Sequence, residues 1–145
     1  MGLVVPWCEQ LKVLCHASVG GFWTHCGWNS SLEAVFSGVP MLTSPLAFDQ
    51  FPNSRRIVDD WNIGRQGVKR AVQGDQDLMT GEDIADIVQT FMDHESSDGK
   101  EMRKRVKELS ALCHTAIAKG GSSDKNLDCF IRDIQMDQSY CHQED

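Results

Sequence analysis

Short apolar runs alternate with helical patterns over residues 2–68, and helical periodicity fills the chain from Thr80 onward. This order predicts an α/β fold with a parallel sheet flanked by helices and a helical C-terminal half. A length of 145 residues suffices for one domain with its own core. The composition, 41% hydrophobic and 24% charged, is that of a globular protein.

Gly2–Pro6 is apolar and partly β-branched and reads as a first strand. Residues 9–15 carry Leu11, Val13 and Leu14 and suit one or two helical turns. Val19–Cys26 reads as a second strand, in which Gly20 and Gly21 permit close backbone approach. A helix is expected to begin near Ser30, because Ser30-Ser31-Leu32-Glu33 has the capping-box spacing. Leu32, Val35 and Phe36 form its apolar face, and Gly38 followed by Pro40 ends it. Val39–Thr43 is the third strand, a loop with Pro45 follows, and Asn53–Trp61 reads as a helix. Ile63–Val68 gives a fourth, weaker strand signal.

Thr80-Gly81-Glu82-Asp83 opens a helix whose Ile84, Ile87, Val88 and Phe91 share one face. Asp98–Lys119 repeats Met102, Val106, Leu109, Cys113 and Ile117 on one side, and Gly120-Gly121 stops it. A last helix, capped by Ser123 or Asp124, places Leu127, Phe130, Ile131 and Ile134 on an inner face. The reading is one domain over residues 1–136 with a polar tail over 137–145.

A net charge of −7 argues against non-specific binding to nucleic acid or anionic membrane, which requires a basic surface. No apolar run approaches the roughly 20 residues of a membrane span, and no signal peptide is visible. The six cysteines form no C-x-x-C pair, so reduced thiols and a cytoplasmic location are expected. Asn29-Ser30-Ser31 matches the glycosylation pattern, by accident if the chain is not secreted. His16 and His25 lack partners at metal-ligand spacing, so no metal and no cofactor is expected.

The chemistry concentrates in Thr24-His25-Cys26-Gly27-Trp28-Asn29-Ser30-Ser31-Leu32-Glu33. A strand ends, a glycine-containing turn follows and a helix begins. Free N–H groups and the positive end of the helix dipole then face one spot beyond the strand's C-terminal end. His25, Asn29 and Ser30 add side-chain donors there. The stretch reads either as an oxyanion or phosphate site or as a well-capped strand–helix connection. It contains no G-x-G-x-x-G and no P-loop.

The run from Trp7 to Gln50 resembles the signature box of plant secondary-product glycosyltransferases, in the UDP-glycosyltransferase family. The resemblance rests on Trp7-Cys8-Glu9-Gln10, Cys15-His16, Val19-Gly20-Gly21-Phe22, Thr24–Ser30, Leu32-Glu33, Gly38–Met41, Pro45 and Asp49-Gln50. Met102-Arg103, Ala118–Ser123 and Phe130-Ile131 are similar to the family's closing segment. The resemblance implies the Rossmann-like C-terminal domain of a GT-B fold, truncated at its start. The donor UDP-sugar binds to that domain; the acceptor and the catalytic His–Asp pair belong to an N-terminal domain outside these residues.

By the same resemblance the UDP-sugar contacts are Trp7, Cys8, Gln10, His25, Trp28, Asn29, Ser30, Glu33, Asp49 and Gln50. Trp7 would stack on uracil with Cys8 and Gln10 beside the base. His25, Asn29 and Ser30 would hold the diphosphate, Glu33 the ribose hydroxyls, and Asp49 and Gln50 the sugar. A terminal Gln in the box commonly accompanies glucose donors. Several residues keep a second reading: Trp7 and Trp28 as core, His25 as a structural residue or base, and Glu33 and Asp49 as caps of their own helices. Cys8-Glu9 stands where most members have Ala-Pro, and Trp23 where Val is usual. The expected function is inverting transfer, with glucose from UDP-glucose passing to a hydroxyl of a small-molecule plant acceptor. The alternative is a non-catalytic UDP-sugar-binding remnant or interaction module.

Overall fold

The computed structural model describes residues 2–67 and 79–141, with side chains to residue 136. Two compact units are present, Met1–Ser110 and Ala111–Asp145.

The first unit is built on three short parallel strands, β1 (Phe22–Thr24), β2 (Met41–Thr43) and β3 (Gly64–Gln66), adjacent in chain order. Phe22 pairs with Met41 and Met41 with Gly64. Each strand is followed by helical chain, as parallel pairing requires. The helices are α1 (Gln10–Leu14), α2 (Trp28–Ser37), α3 (Gln50–Arg55), α4 (Gly81–Met92) and the first part of α5 (Ser97–Ile117). α3 runs into a π-helical turn over Arg56–Asp60, closed by the Trp61 N–H on the Arg56 carbonyl at 2.9 Å.

Both faces of β2 are buried. Met41 packs with Cys26, Ala34, Val35, Ile57, Ile63 and Val106, while Leu42 packs with Phe91 and Met102. Adjacent strand residues point to opposite faces, so helices cover the sheet on both sides. Gly20 and Gly21 make the close approach expected of them: a Cβ on Gly21 would overlap the Phe91 ring.

Several boundaries differ from the sequence reading. Gly2–Pro6 is not a strand; it has no ladder partner among the described residues, and Leu3 and Val4 lie exposed. Apolar β-branched residues make a strand only where a neighbouring strand accepts their backbone bonds. The second strand contracts from 19–26 to Phe22–Thr24 and the third from 39–43 to Met41–Thr43. β3 falls within the fourth signal, whose last residue, Val68, lies outside the described residues. The helix foreseen from Asn53 starts three residues earlier, at Gln50.

α2 starts at Trp28 rather than Ser30, and its capping box does not form. Cys26 adopts a left-handed backbone (φ 67°), which turns the chain early, and Gly27 becomes the N-cap with no side-chain cap. Glu33 bonds Gln10 instead of its own helix start.

A capping box forms instead at Thr80. The Thr80 hydroxyl accepts from the Asp83 N–H (3.2 Å), and the Thr80 N–H donates to Asp83 Oδ2 (2.9 Å). The Thr80 N–H, then its hydroxyl, hold the Asp83 carboxyl below the usual carboxylate range. A depressed folded value stabilises the helix start above the unfolded pKa of about 3.9 and is lost as pH falls through the folded value. Protection of the Gly81–Asp83 amides, taken relative to the intrinsic exchange rate at each pH, is therefore expected to fall on acidification below about pH 4. Asp83→Asn should abolish that pH dependence; an unchanged acid profile in the variant would refute the assignment.

Arg103 stands beside Lys104, Arg105 and Lys107 in the sequence, yet it is partly buried. Its guanidinium donates to the Phe91 and Gly99 carbonyls, each at 3.2 Å, and lies 6.0 Å from the Phe91 ring centre. It thereby satisfies a carbonyl at the C-terminal end of α4.

In the second unit, Gly120 is left-handed (φ 79°) and donates to Asp124 Oδ2 at 2.8 Å. α6 (Ser122–Cys141) follows. Its stripe of Leu127, Phe130, Ile131 and Ile134 forms at the expected spacing but is exposed rather than inward-facing. The tail expected over 137–145 is helical to Cys141 and otherwise outside the described residues.

Candidate functional site

β1 and β2 are neighbours and parallel, so the turns leaving their C-terminal ends emerge side by side. The first, His25–Gly27, leads into α2; the second, Ser44–Asp49, leads into α3. Ligands of open parallel sheets gather at this edge.

The N–H groups of Trp28, Asn29 and Ser30 lie in the first turn of α2 and have no intrahelical acceptor. No side chain caps them. Ser31 Oγ donates backward to the Gly27 carbonyl at 2.9 Å, away from that end. The His25 imidazole lies over Gly27, so close that a Cβ there would stand 2.5 Å from Nε2. His25 and Asn29 are exposed. The turn thus presents unspent donors to solvent, as an anion requires.

Trp7 is 87% exposed, which excludes the core reading for it. With Cys8, Gln10, Glu33 and neighbours over Val5–Lys12, it lines an open cavity of about 780 Å³. Gln10 Nε2 donates to Glu33 Oε2 (2.6 Å) and to Ser30 Oγ (3.1 Å), tying α1 to α2. One Glu33 oxygen is thereby engaged, and the capping reading of Glu33 is excluded. Trp28 takes an intermediate course: its ring packs at 6.2 Å from that of Trp61, 43° off parallel, and stays partly exposed.

The second loop is fixed by its own backbone. Gln50 Oε1 accepts from the Leu46 and Ala47 N–H groups at 2.8 and 3.0 Å, leaving the amide nitrogen as its unspent end. Asp49 does not cap α3; its Oδ2 accepts from Asn53 Nδ2 at 3.0 Å. The same nitrogen donates to the Cys26 carbonyl at 3.1 Å. Sequence reading missed Asn53. Its signal was the four-residue spacing from Asp49, which puts both on one helical face. Trp23, which stands where Val is usual, donates its indole N–H to Ser44 Oγ at 2.7 Å, joining β1 to the second loop.

Burial pushes the Cys26 thiol up, against weaker opposing bonds from Ser44 and Ser54. It is a packed neutral thiol rather than a nucleophile. No group of three or more metal-binding side chains converges among the described residues.

Comparison with known proteins adds the family. A profile described as UDP-glucoronosyl and UDP-glucosyl transferase matches residues 1–116. The chain belongs to the UDP-glycosyltransferase family. It is 54% identical over 134 residues to UDP-glycosyltransferase 87A1 of Arabidopsis thaliana, covering 92% of this chain and 30% of that protein. Glycyrrhiza uralensis UGT73P12, solved with glycyrrhetinic acid 3-O-monoglucuronide, superposes with a TM-score of 0.79 at 34% identity, over 92% of this chain and 28% of that one. Medicago truncatula UGT71G1, solved with UDP-glucose, gives 0.76 at 35% identity, over 88% and 27%. The chain therefore spans about 30% of the length of the curated UDP-glycosyltransferases it matches. Its sheet and helices match part of the plant GT-B structures. No described helix of this UDP-glycosyltransferase chain is long and apolar enough to cross a membrane.

Proposed function

We propose that these residues form the donor side of a glycosyl-transfer site that takes UDP-glucose and releases UDP. The observation that carries this reading is the uncapped start of α2 beside an exposed His25, continuous through the Ser30–Gln10–Glu33 bonds with the cavity under Trp7. A nucleoside diphosphate needs both parts: N–H donors for the phosphates and an aromatic face for the base.

In this reading Trp7 stacks on uracil, with Cys8 and Gln10 at its edge. The free Glu33 oxygen takes the ribose hydroxyls, and the Gln10 bond keeps that carboxylate oriented. His25, Asn29, Ser30 and the first N–H groups of α2 neutralise the diphosphate, and Trp28 buttresses the turn from the Trp61 side. Asp49 and the Gln50 amide nitrogen meet the sugar hydroxyls. The donors would stabilise the charge that develops on UDP as the anomeric carbon is attacked from the opposite face, which inverts it. That attack requires a hydroxyl on a small-molecule acceptor and a base, and neither is among the groups assigned to the donor here. The bound UDP-glucose of the Medicago relative supports the choice of donor.

Titration calorimetry tests the reading. The chain is expected to bind UDP and UDP-glucose more tightly than ADP, because this reading assigns Trp7, Cys8 and Gln10 to uracil. Trp7→Ala should weaken UDP binding by about 1–3 kcal/mol, the scale of base–aromatic stacking. Equal affinity for UDP and ADP would remove the uracil assignment.

A further inference from the structure

The two loops at the sheet edge are joined by one side chain. Both N–H groups of the Asn53 amide are accounted for, one on the Cys26 carbonyl at 3.1 Å and one on Asp49 Oδ2 at 3.0 Å. Cys26 is the left-handed residue that turns β1 into α2, and its carbonyl belongs to the peptide unit preceding Gly27. Asp49 is exposed, makes no cap bond, and has no other side-chain partner among the described residues. An exposed carboxylate with a single anchor takes its orientation from that anchor. Asn53 itself is half-buried and carried on α3, whose first turn is held separately by the Asn53 N–H on the Asp49 carbonyl at 3.1 Å. The side-chain bonds are therefore not needed to form the helix.

We propose that Asn53 is a positioning residue that sets the sugar-facing Asp49 carboxylate against the diphosphate-facing Cys26–Gly27 turn. The proposal rests on the donor reading above. Two acceptors share one NH₂ group, so neither can shift without losing a bond. An aspartate at this position would offer a third acceptor, negatively charged, where both neighbours need a donor. An alanine or serine would leave the Asp49 carboxylate free to rotate. The spacing between phosphate donors and sugar acceptor would then no longer be fixed before binding, and positioning of this kind is where affinity for an extended ligand is gained.

Three ligands separate the possibilities. UMP reports base and ribose, UDP adds the diphosphate, and UDP-glucose adds the sugar. Asn53→Asp is expected to lower UDP-glucose affinity by about tenfold, the scale of a hydrogen bond to a charged group, with UMP affinity within about twofold of the unmodified chain. Asn53→Ser, which carries no new charge, should show the same pattern at about threefold and serves as the test if the aspartate variant does not fold. Combined with Asp49→Ala, either variant should cost little beyond Asp49→Ala alone, since Asn53 acts on the sugar through Asp49. Parallel losses for UMP and UDP-glucose would mean a structural role and overturn the proposal. So would unchanged UDP-glucose binding in both variants, or full additivity with Asp49→Ala, while uridine binding by the unmodified chain left the donor reading intact. An unmodified chain that binds none of the three ligands overturns the donor reading and this proposal with it.

Discussion

Residues 1–145, supplied alone with UDP-glucose and a phenol, are expected to form no detectable glucoside. The groups that converge at the sheet edge are donors: the first N–H groups of α2, His25, Asn29 and Ser30. In the proposed reading they face a departing diphosphate, on one side of the anomeric carbon. Inversion needs a base and a held hydroxyl on the other side. A general base contributes typically 10²–10⁴-fold. Holding the acceptor in line contributes effective molarities that reach about 10⁵ M or more. Without both, stabilisation of the leaving group leaves turnover far below assay limits. Product analysis by mass spectrometry with purified chain is the measurement. Glucoside that scales with chain concentration would overturn the expectation.

The sequence disclosed the alternation of strand and helix, the stops at Gly38 and Gly120 and the helix start at Thr80. Each is a local rule whose cause lies within a few residues. Gly2–Pro6 shows where such rules end, because a strand exists only with a partner to accept its bonds. The start of α2 failed for a related reason. Ser30 and Glu33 have capping spacing, yet a left-handed Cys26 moved the turn upstream and Gln10, twenty-three residues from Glu33, claimed its carboxylate. That competition is tertiary and leaves no local mark. The candidate site residues stand out in the sequence because they cluster in one run that resembles a family box. Asn53 lies just beyond that run; its spacing from Asp49 marks one partner, but its bond to Cys26, twenty-seven residues away, shows only in the fold. The stripe on α6 shows the opposite failure: periodicity correctly marks an apolar face but does not say that the face is covered.

The site's geometry depends on the short sheet, and the sheet depends on Met41. This residue has 0% exposure, sits on the middle strand, and pairs with Phe22 on one side and Gly64 on the other. Its side chain joins Cys26 and Ala34 of the first turn and α2 to Ile57, Ile63 and Val106 beyond. Gly64 is packed closely enough that a Cβ there would meet the Met41 carbonyl at 2.5 Å and Ile57 Cγ2 at 2.7 Å, so the surroundings have little freedom to collapse. A site that cannot collapse suffers the full cavity cost. Met41→Ala is therefore expected to destabilise the fold by about 2–5 kcal/mol. Domains hold only about 5–15 kcal/mol in total. Each kcal/mol moves the midpoint of a domain this size by roughly 4 °C, so a fall of about 8–20 °C is expected. Thermal unfolding by circular dichroism checks it. Nucleotide affinity per folded molecule should change far less than stability, because Met41 touches none of the proposed donor contacts. A loss under about 1 kcal/mol would show that the middle strand is not the centre of the core.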